Sequence, residues 1–224
     1  MKVFTVIGIS GSGKTTVVEA VVKLLRQRGY SVGSVKEIHY EAFAIDSSPT
    51  SNTHRHRAAG ASLVTARGLK ETDFLYPEKL SMKAILSQYK GYDWVALEGV
   101  SELSVPAVIC AHDADGLKNK WTESAVCVSG KAGAELAEYN GLPAYNVLDN
   151  ADGLCDFLEE NVPDYLECFD PNDTDAGAGV TLTVDGKPVR MVPFVQKILR
   201  NAALGVVSEL QGYKEGAEVE IRLK

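Results

Sequence analysis

The eight residues Gly8-Ile9-Ser10-Gly11-Ser12-Gly13-Lys14-Thr15 constrain this chain more than any other feature. They satisfy G-x-x-x-x-G-K-[ST] in full, and the flanks fit as well. The β-branched run VFTVIGI ahead of them reads as a buried parallel strand. Val17, Val18, Val21, Val22, Leu24 and Leu25 behind them form a helical stripe that Gly29 closes. A strand, a glycine loop and a helix in that order turn successive backbone N–H groups toward one point, and the helix N-terminus adds partial positive charge. The expected ligand is a polyphosphate. Gly11, Ser12 and Gly13 supply backbone donors, Lys14 reaches the β/γ-phosphates, the Thr15 hydroxyl ligates Mg²⁺ and Thr16 contacts the α-phosphate. The loop specifies phosphate and not base: Asn119-Lys120-Trp121-Thr122 has Thr where the guanine-reading pattern needs Asp.

Composition narrows the partners. Lys and Arg number 23 against 30 Asp and Glu, a net charge of −7, which argues against a broad nucleic-acid footprint. Thirteen of the acidic residues lie in 132–186, a stretch without Lys or Arg. The remainder is therefore positive and able to host a small polyphosphate, while the acidic stretch reads as solvated surface. No run reaches the ~18 apolar residues of a membrane span, and MKVFTVIGIS leaves no room for a secretory h-region. Four cysteines, Cys110, Cys127, Cys155 and Cys168, do not make a disulfide scaffold. The expected location is cytoplasmic, with neither nucleic acid nor membrane as partner.

Strand patterns (SVGSVK, ASLVTAR, WVALEG, VPAVICA, SAVCVSG, LPAYNVL) alternate with helical ones at 77–89, 131–139 and 151–161. That alternation predicts an α/β domain with a mostly parallel sheet. We assign residues 1–162 to this nucleotide-binding domain and 163–179 to a linker. Residues 180–224 form a small ββαβ appendage, with a hairpin at Asp185-Gly186-Lys187, a helix over 194–210 and a last strand EVEIRLK.

Further residues carry candidate chemistry. Glu98 ends the strand WVALE, where a carboxylate beside the phosphate loop can hold Mg²⁺ directly or through water. The long polar stretch 40–60 contains Asp46, His54, Arg55, His56 and Arg57. Its arginines suit an anionic ligand as well as they suit an exposed basic helix start, and its histidines lack the further ligands of a zinc site. Cys110 and Cys127 sit in apolar runs and read as core. His112-Asp113 has no nucleophile partner and is left outside the site.

With these residues in place, the sequence resembles the molybdopterin-guanine dinucleotide biosynthesis protein B (MobB) family of P-loop GTP-binding proteins. The match runs through GISGSGKTT, SVKEIHY, AIDSSPTSNTHRHRAAGA, VALEGV and NVLDNADGLCDFLEENV, covering 1–162. The second and third pieces discriminate. The family shows Lys-His-x-His-His, an Asp, Gly-Lys-Asp-Ser and an Arg before Ala-Gly-Ala; Lys36, His39, Asp46, Arg57 and Ala59-Gly60-Ala61 fall in place here. The chain departs from the pattern at Glu37 (often His), Asn52 (Asp), Thr53 (Ser) and Ser129-Gly130 (Ser/Thr-Asp).

The resemblance implies a three-layer P-loop NTPase fold that binds GTP with Mg²⁺. It implies a homodimeric accessory protein with weak GTPase activity at most, serving the MobA-like nucleotidyltransferase that joins GMP to the molybdopterin cofactor. His39, Asp46, Arg55 and Arg57 are then candidates for an anion or ligand loop. Weak turnover agrees with the lack of an arginine finger or water-positioning Gln near Glu98. The alternative is a P-loop small-molecule kinase with Arg55 and Arg57 as clamps and Asp46 as base. A metallochaperone-type GTPase would want more His or Cys around the loop.

Overall fold

A computed structural model describes residues 1–40, 43–44, 46, 48–165, 182–184, 187–189, 193–207 and 214 of the 224. In chain order, β1 (Lys2–Gly8) leads to α1 (Lys14–Gln27), β2 (Val32–Lys36), α2 (Asn52–Ala58) and the pair β3 (Val64–Arg67) and β4 (Thr72–Leu75). Then come α3 (Met82–Ser87), β5 (Trp94–Glu98), β6 (Ala107–Cys110), α4 (Ala114–Lys120), β7 (Ala125–Ser129) and α5 (Gly130–Glu135). The short β8 (Glu138–Tyr139) and β9 (Leu142–Pro143) precede α6 (Ala151–Asn161), and β10 (Leu182–Val184), β11 (Lys187–Val189) and α7 (Pro193–Val207) follow.

Five strands form one parallel sheet in the order β2-β5-β1-β6-β7. Its central strands are apolar because both faces are covered, the usual condition of a parallel sheet. Alternation along each strand decides which helix a side chain meets. Phe4 and Val6 of β1, Trp94 and Ala96 of β5, and Val108 and Cys110 of β6 pack with Val17, Val21 and Leu25 of α1 and with Leu154 and Leu158 of α6. On the other face, Val3, Val95 and Leu97 meet Met82 and Leu86 of α3, while Ala107, Ile109 and Val128 meet Leu117 of α4 and Ala132 of α5. The result is three layers, as the family resemblance implies, around the mostly parallel sheet expected from the strand–helix alternation. Each fully buried α1 side chain contributes about 1.5–3 kcal/mol. Arg28, just past α1, pairs with Asp152, Asp156 and Glu159 of α6 at 3.3, 2.6 and 3.1 Å, so part of the acidic stretch fastens two helices together.

Several elements differ from the sequence expectation. ASLVTAR does not join the parallel sheet; β3 pairs antiparallel with β4 in a separate two-stranded ribbon. The helix expected over 77–89 is confined to Met82–Ser87, where the Ser81 hydroxyl accepts from Ala84 N and starts it late. The segment expected as a helix over 131–139 ends after Glu135, and Glu138–Tyr139 turns back to pair with Leu142–Pro143. LPAYNVL continues only as a parallel bridge from Val128 to Ala144. The hairpin β10–β11 and helix α7 appear as expected. Of the linker 163–179 only 163–165 are described, and they return to the start of the chain, with Asp164 bridging Lys2 and Tyr165 N donating to Met1 O at 2.7 Å. The final EVEIRLK strand lies outside the described residues.

Candidate functional site

The phosphate loop hangs between β1 and α1 at the carboxyl end of the central strand. Gly8, with φ +152°, passes so close to β6 that a Cβ there would lie 1.9 Å from the Cys110 carbonyl oxygen. Only glycine permits that approach. Gly13 caps α1 in the left-handed conformation, and no side chain caps the helix. The first-turn N–H groups therefore remain available to an anion. The loop is braced from within and below: Ser12 Oγ donates to Ile9 O at 2.8 Å, and Lys131 N donates to Ser12 O at 3.0 Å. The Lys14 ammonium folds back onto the Ile9 and Gly8 carbonyls at 2.6 and 3.1 Å. Thr15 and Thr16 are exposed at the start of α1.

Alternation along β5 puts Glu98 on the same face as Trp94 and Ala96, toward α1. The Thr15 hydroxyl donates to Glu98 Oε1 at 2.8 Å. Lys36, the register partner of Glu98 on β2, donates its ammonium to the same oxygen. Burial pushes the Glu98 carboxyl up, but the Lys36 and Thr15 hydrogen bonds and the nearby lysine charges outweigh it and hold the group below its ordinary value. A hydroxyl and an ionised carboxylate converging beside a phosphate cradle are hard oxygen ligands, and they fit Mg²⁺. Cys110, beneath the loop, is fully buried, and burial pushes its thiol up to about 12. It is core, as its strand context implied.

The 40–60 region organises itself differently. Asp46 accepts from Ser51 Oγ at 2.7 Å and Thr53 Oγ1 at 2.6 Å. Arg57 lies 3.4 Å from the same carboxylate and donates to the Asp46 carbonyl. Ser51 Oγ also accepts from His54 N at 3.0 Å, capping α2. The structure thus joins Asp46 and Arg57 to each other, while Arg55 and His39 are exposed. At the departures from the family pattern, Glu37 takes Lys79 at 2.9 Å, Thr53 serves Asp46, and the Ser129 hydroxyl turns to the Tyr145 carbonyl at 2.8 Å.

Two residues of the site escaped the sequence reading. Lys36 was visible only as part of a pattern, and its role depends on a partner 62 positions away. His112, set aside for want of a nucleophile, lies against the loop instead: its Nε2 is 3.1 Å from Ser10 O.

Comparison with known proteins agrees with this geometry. The family model for molybdopterin guanine dinucleotide synthesis protein B (MobB) matches residues 3–128. A putative molybdopterin-guanine dinucleotide biosynthesis adapter protein of Methanocaldococcus jannaschii is 24% identical over 246 aligned positions, spanning 100% of this chain and 97% of that protein. A probable adapter protein of the same description from Bacillus subtilis is 20% identical over 146 positions, 64% of this chain and 84% of its own length. The crystal structure of Bacillus subtilis MobB superposes with a TM-score of 0.58 at 20% identity, covering 74% of this chain and 100% of that one. A MobB homologue from Bacillus stearothermophilus gives 0.54 at 21% identity, covering 71% and 97%. These structures establish the fold.

Proposed function

The chain belongs to the molybdopterin guanine dinucleotide synthesis protein B family, and from that premise we propose that its phosphate loop takes GTP with Mg²⁺. It is a P-loop nucleotide-binding adapter of molybdopterin guanine dinucleotide biosynthesis. The observation that carries the Mg²⁺–polyphosphate part of this reading is the 2.8 Å pair of Thr15 and Glu98 next to a helix start that no side chain caps, while the choice of GTP follows the family resemblance. Bound there, Mg²⁺ would neutralise phosphate charge and orient the terminal phosphate. The chain's own part is to supply the backbone donors of 11–16, the Lys14 charge, and the Thr15 and Glu98 oxygens.

Hydrolysis is weak in this proposal, because no residue in the described site plays the water-positioning or arginine-finger role. The kinase alternative is not favoured. It needs Asp46 as a base and Arg57 as a clamp, yet Asp46 already accepts two hydroxyl hydrogen bonds and faces Arg57. The Thr53 and Ser51 hydrogen bonds and the Arg57 charge lower its pKa, the wrong direction for a base.

The adapter acts as a homodimer and docks on a MobA-like nucleotidyltransferase carrying the molybdopterin cofactor. Tyr40, Phe43, Leu69 and Phe74 are all exposed, which supports a protein-contacting surface in the 37–76 region. The division into 1–162, linker 163–179 and 180–224 stays part of this proposal; the family model, which spans residues 3–128, falls within the first unit. No helix among the described residues is long and apolar enough to cross a membrane, and the proposed location is cytoplasmic.

Calorimetric titration with GTP and with ATP in Mg²⁺ tests the proposal. GTP should bind more tightly, with turnover far below the ~1–10³ s⁻¹ of typical enzymes. Brisk phosphate transfer from ATP to a small acceptor would hand the protein to the kinase reading.

A further inference from the structure

Lys36 has a place in this site that neither the phosphate-loop motif nor the family match assigns. It ends β2 in register with Glu98 on β5, and parallel neighbours about 4.8 Å apart can share a face. Its ammonium sits on Glu98 Oε1, the oxygen that also accepts from Thr15 at 2.8 Å. A carboxylate oxygen offers roughly two lone-pair directions, so both directions of this oxygen are in use.

The two members of the ion pair differ in freedom. The Glu98 side chain is 8% exposed and the Lys36 side chain 50%. Glu98 is fixed by the strand and the buried face around it, while the lysine stem and head lie at the open side. If a divalent cation sits on Oε1 beside the Thr15 oxygen, it competes with the ammonium for that oxygen, and the half-exposed lysine has room to yield. A terminal phosphate arriving with that cation is the new anion beside Lys36. Lys14 answers a different demand, since its ammonium rests on the Gly8 and Ile9 carbonyls and not on the carboxylate.

We propose that Lys36 is a positioning and state-reading residue: it holds Glu98 in place, then passes to the terminal phosphate as the magnesium–nucleoside triphosphate complex engages Thr15 and Glu98. A diphosphate lacks the γ-phosphate, so Lys36 discriminates tri- from diphosphate. Lys36 also begins the connection to Asp46 and α2, so its position is one that the exposed 37–76 region follows directly in the chain. The inference rests on the Mg²⁺–triphosphate reading of the site.

The test measures GTP and GDP affinities by calorimetry, with Mg²⁺ and with EDTA, for the wild type, Lys36→Met and Lys36→Arg. Methionine keeps the length and apolar stem without the charge. Lys36→Met should weaken GTP in Mg²⁺ by about 10- to 100-fold, the range of a charge-assisted hydrogen bond. GDP in Mg²⁺ should keep its affinity or gain slightly, because nothing then competes for Glu98. Lys36→Arg should retain most of the triphosphate preference, and it stands as the second variant should the methionine protein fold poorly. Equal changes for GTP and GDP in Lys36→Met, or loss of the preference in Lys36→Arg, would overturn the proposal. Wild-type protein that binds neither nucleotide in Mg²⁺ would instead overturn the reading beneath it.

Discussion

The phosphate-loop end of the molecule and the 37–76 region are built on opposite principles. At the loop, close approach is the rule: Gly8 lies against the Cys110 carbonyl, Ser12 is fully buried, and Glu98 is shared by Thr15 and Lys36. In the 37–76 region the only buried residue among those described is Val64. Its α2 is held by one local knot of Asp46, Ser51, Thr53 and Arg57, and Leu69 and Phe74 stand in solvent. Small-ligand chemistry demands groups fixed to fractions of an ångström, which only a packed sheet end supplies. A surface for protein partners demands exposed contact area, which packing would remove. The nucleotide site is therefore prebuilt, and the surface proposed for partners is left open.

The sharpest way to break this comparison is to place the same substitution in both regions. Gly8→Ala drives a methyl into the Cys110 carbonyl at a positive φ and should cost about 3–5 kcal/mol of stability. Gly60→Ala also meets a positive φ, +101°, but no atom lies within 4 Å, and about 1 kcal/mol is expected. Urea midpoints measure both. Similar losses would mean the two regions are equally packed.

Lys14→Ala should weaken triphosphate binding by about 2–4 kcal/mol with little loss of stability, since among the described residues its ammonium bonds to the Gly8 and Ile9 loop carbonyls. Undiminished nucleotide affinity in a folded variant would remove the phosphate loop from the account.

Asp46 sharpens the comparison through pH. The Thr53 and Ser51 hydrogen bonds and the Arg57 and His54 charges lower its folded-state pKa below the ordinary 3.8. The stability it lends is complete above the unfolded value and is lost as pH falls through the lower folded value. Amide exchange at His54 and Arg55, whose N–H groups bond to Ser51, should accelerate over that acid window. In Asp46→Asn it should already be faster at neutral pH, with the acid step gone. A knot that only fastens α2 to the segment ahead of it leaves GTP affinity unchanged in the variant.

The smallest effect on stability belongs to Phe74→Ser, which removes an exposed ring and should change stability by less than about 0.5 kcal/mol. Light scattering should nonetheless show weakened self-association. Self-association equal to wild type would move the proposed contact surface off the β3–β4 ribbon.

The same contrast explains what could be read from sequence. β1, α1 and α6 were legible because their apolar periodicity faces a core: Val17, Val21 and Leu25 recur at helical spacing, and α6 runs over the anticipated residues. Glu98 was legible because a carboxylate closes a continuous apolar strand. β4 was missed because Thr72–Leu75 is almost wholly exposed and carries no buried alternation. α4 was missed because a single buried side chain, Leu117, sets it, with Asp113 accepting from Gly116 N to start it. Lys36 and His112 belong to the site through pairings 62 and 102 positions apart, and no local pattern encodes those.

The proposed metal-binding edge of the nucleotide site is the Thr15–Glu98 pair. Glu98→Gln keeps the side chain's shape and removes its charge, so GTP affinity in Mg²⁺ and in EDTA measures the claim directly. The variant should lose the Mg²⁺-dependent gain in affinity while binding in EDTA stays near wild type, because the loop amides and Lys14 remain. Wild-type behaviour under both conditions, or an equal loss under both, would contradict it.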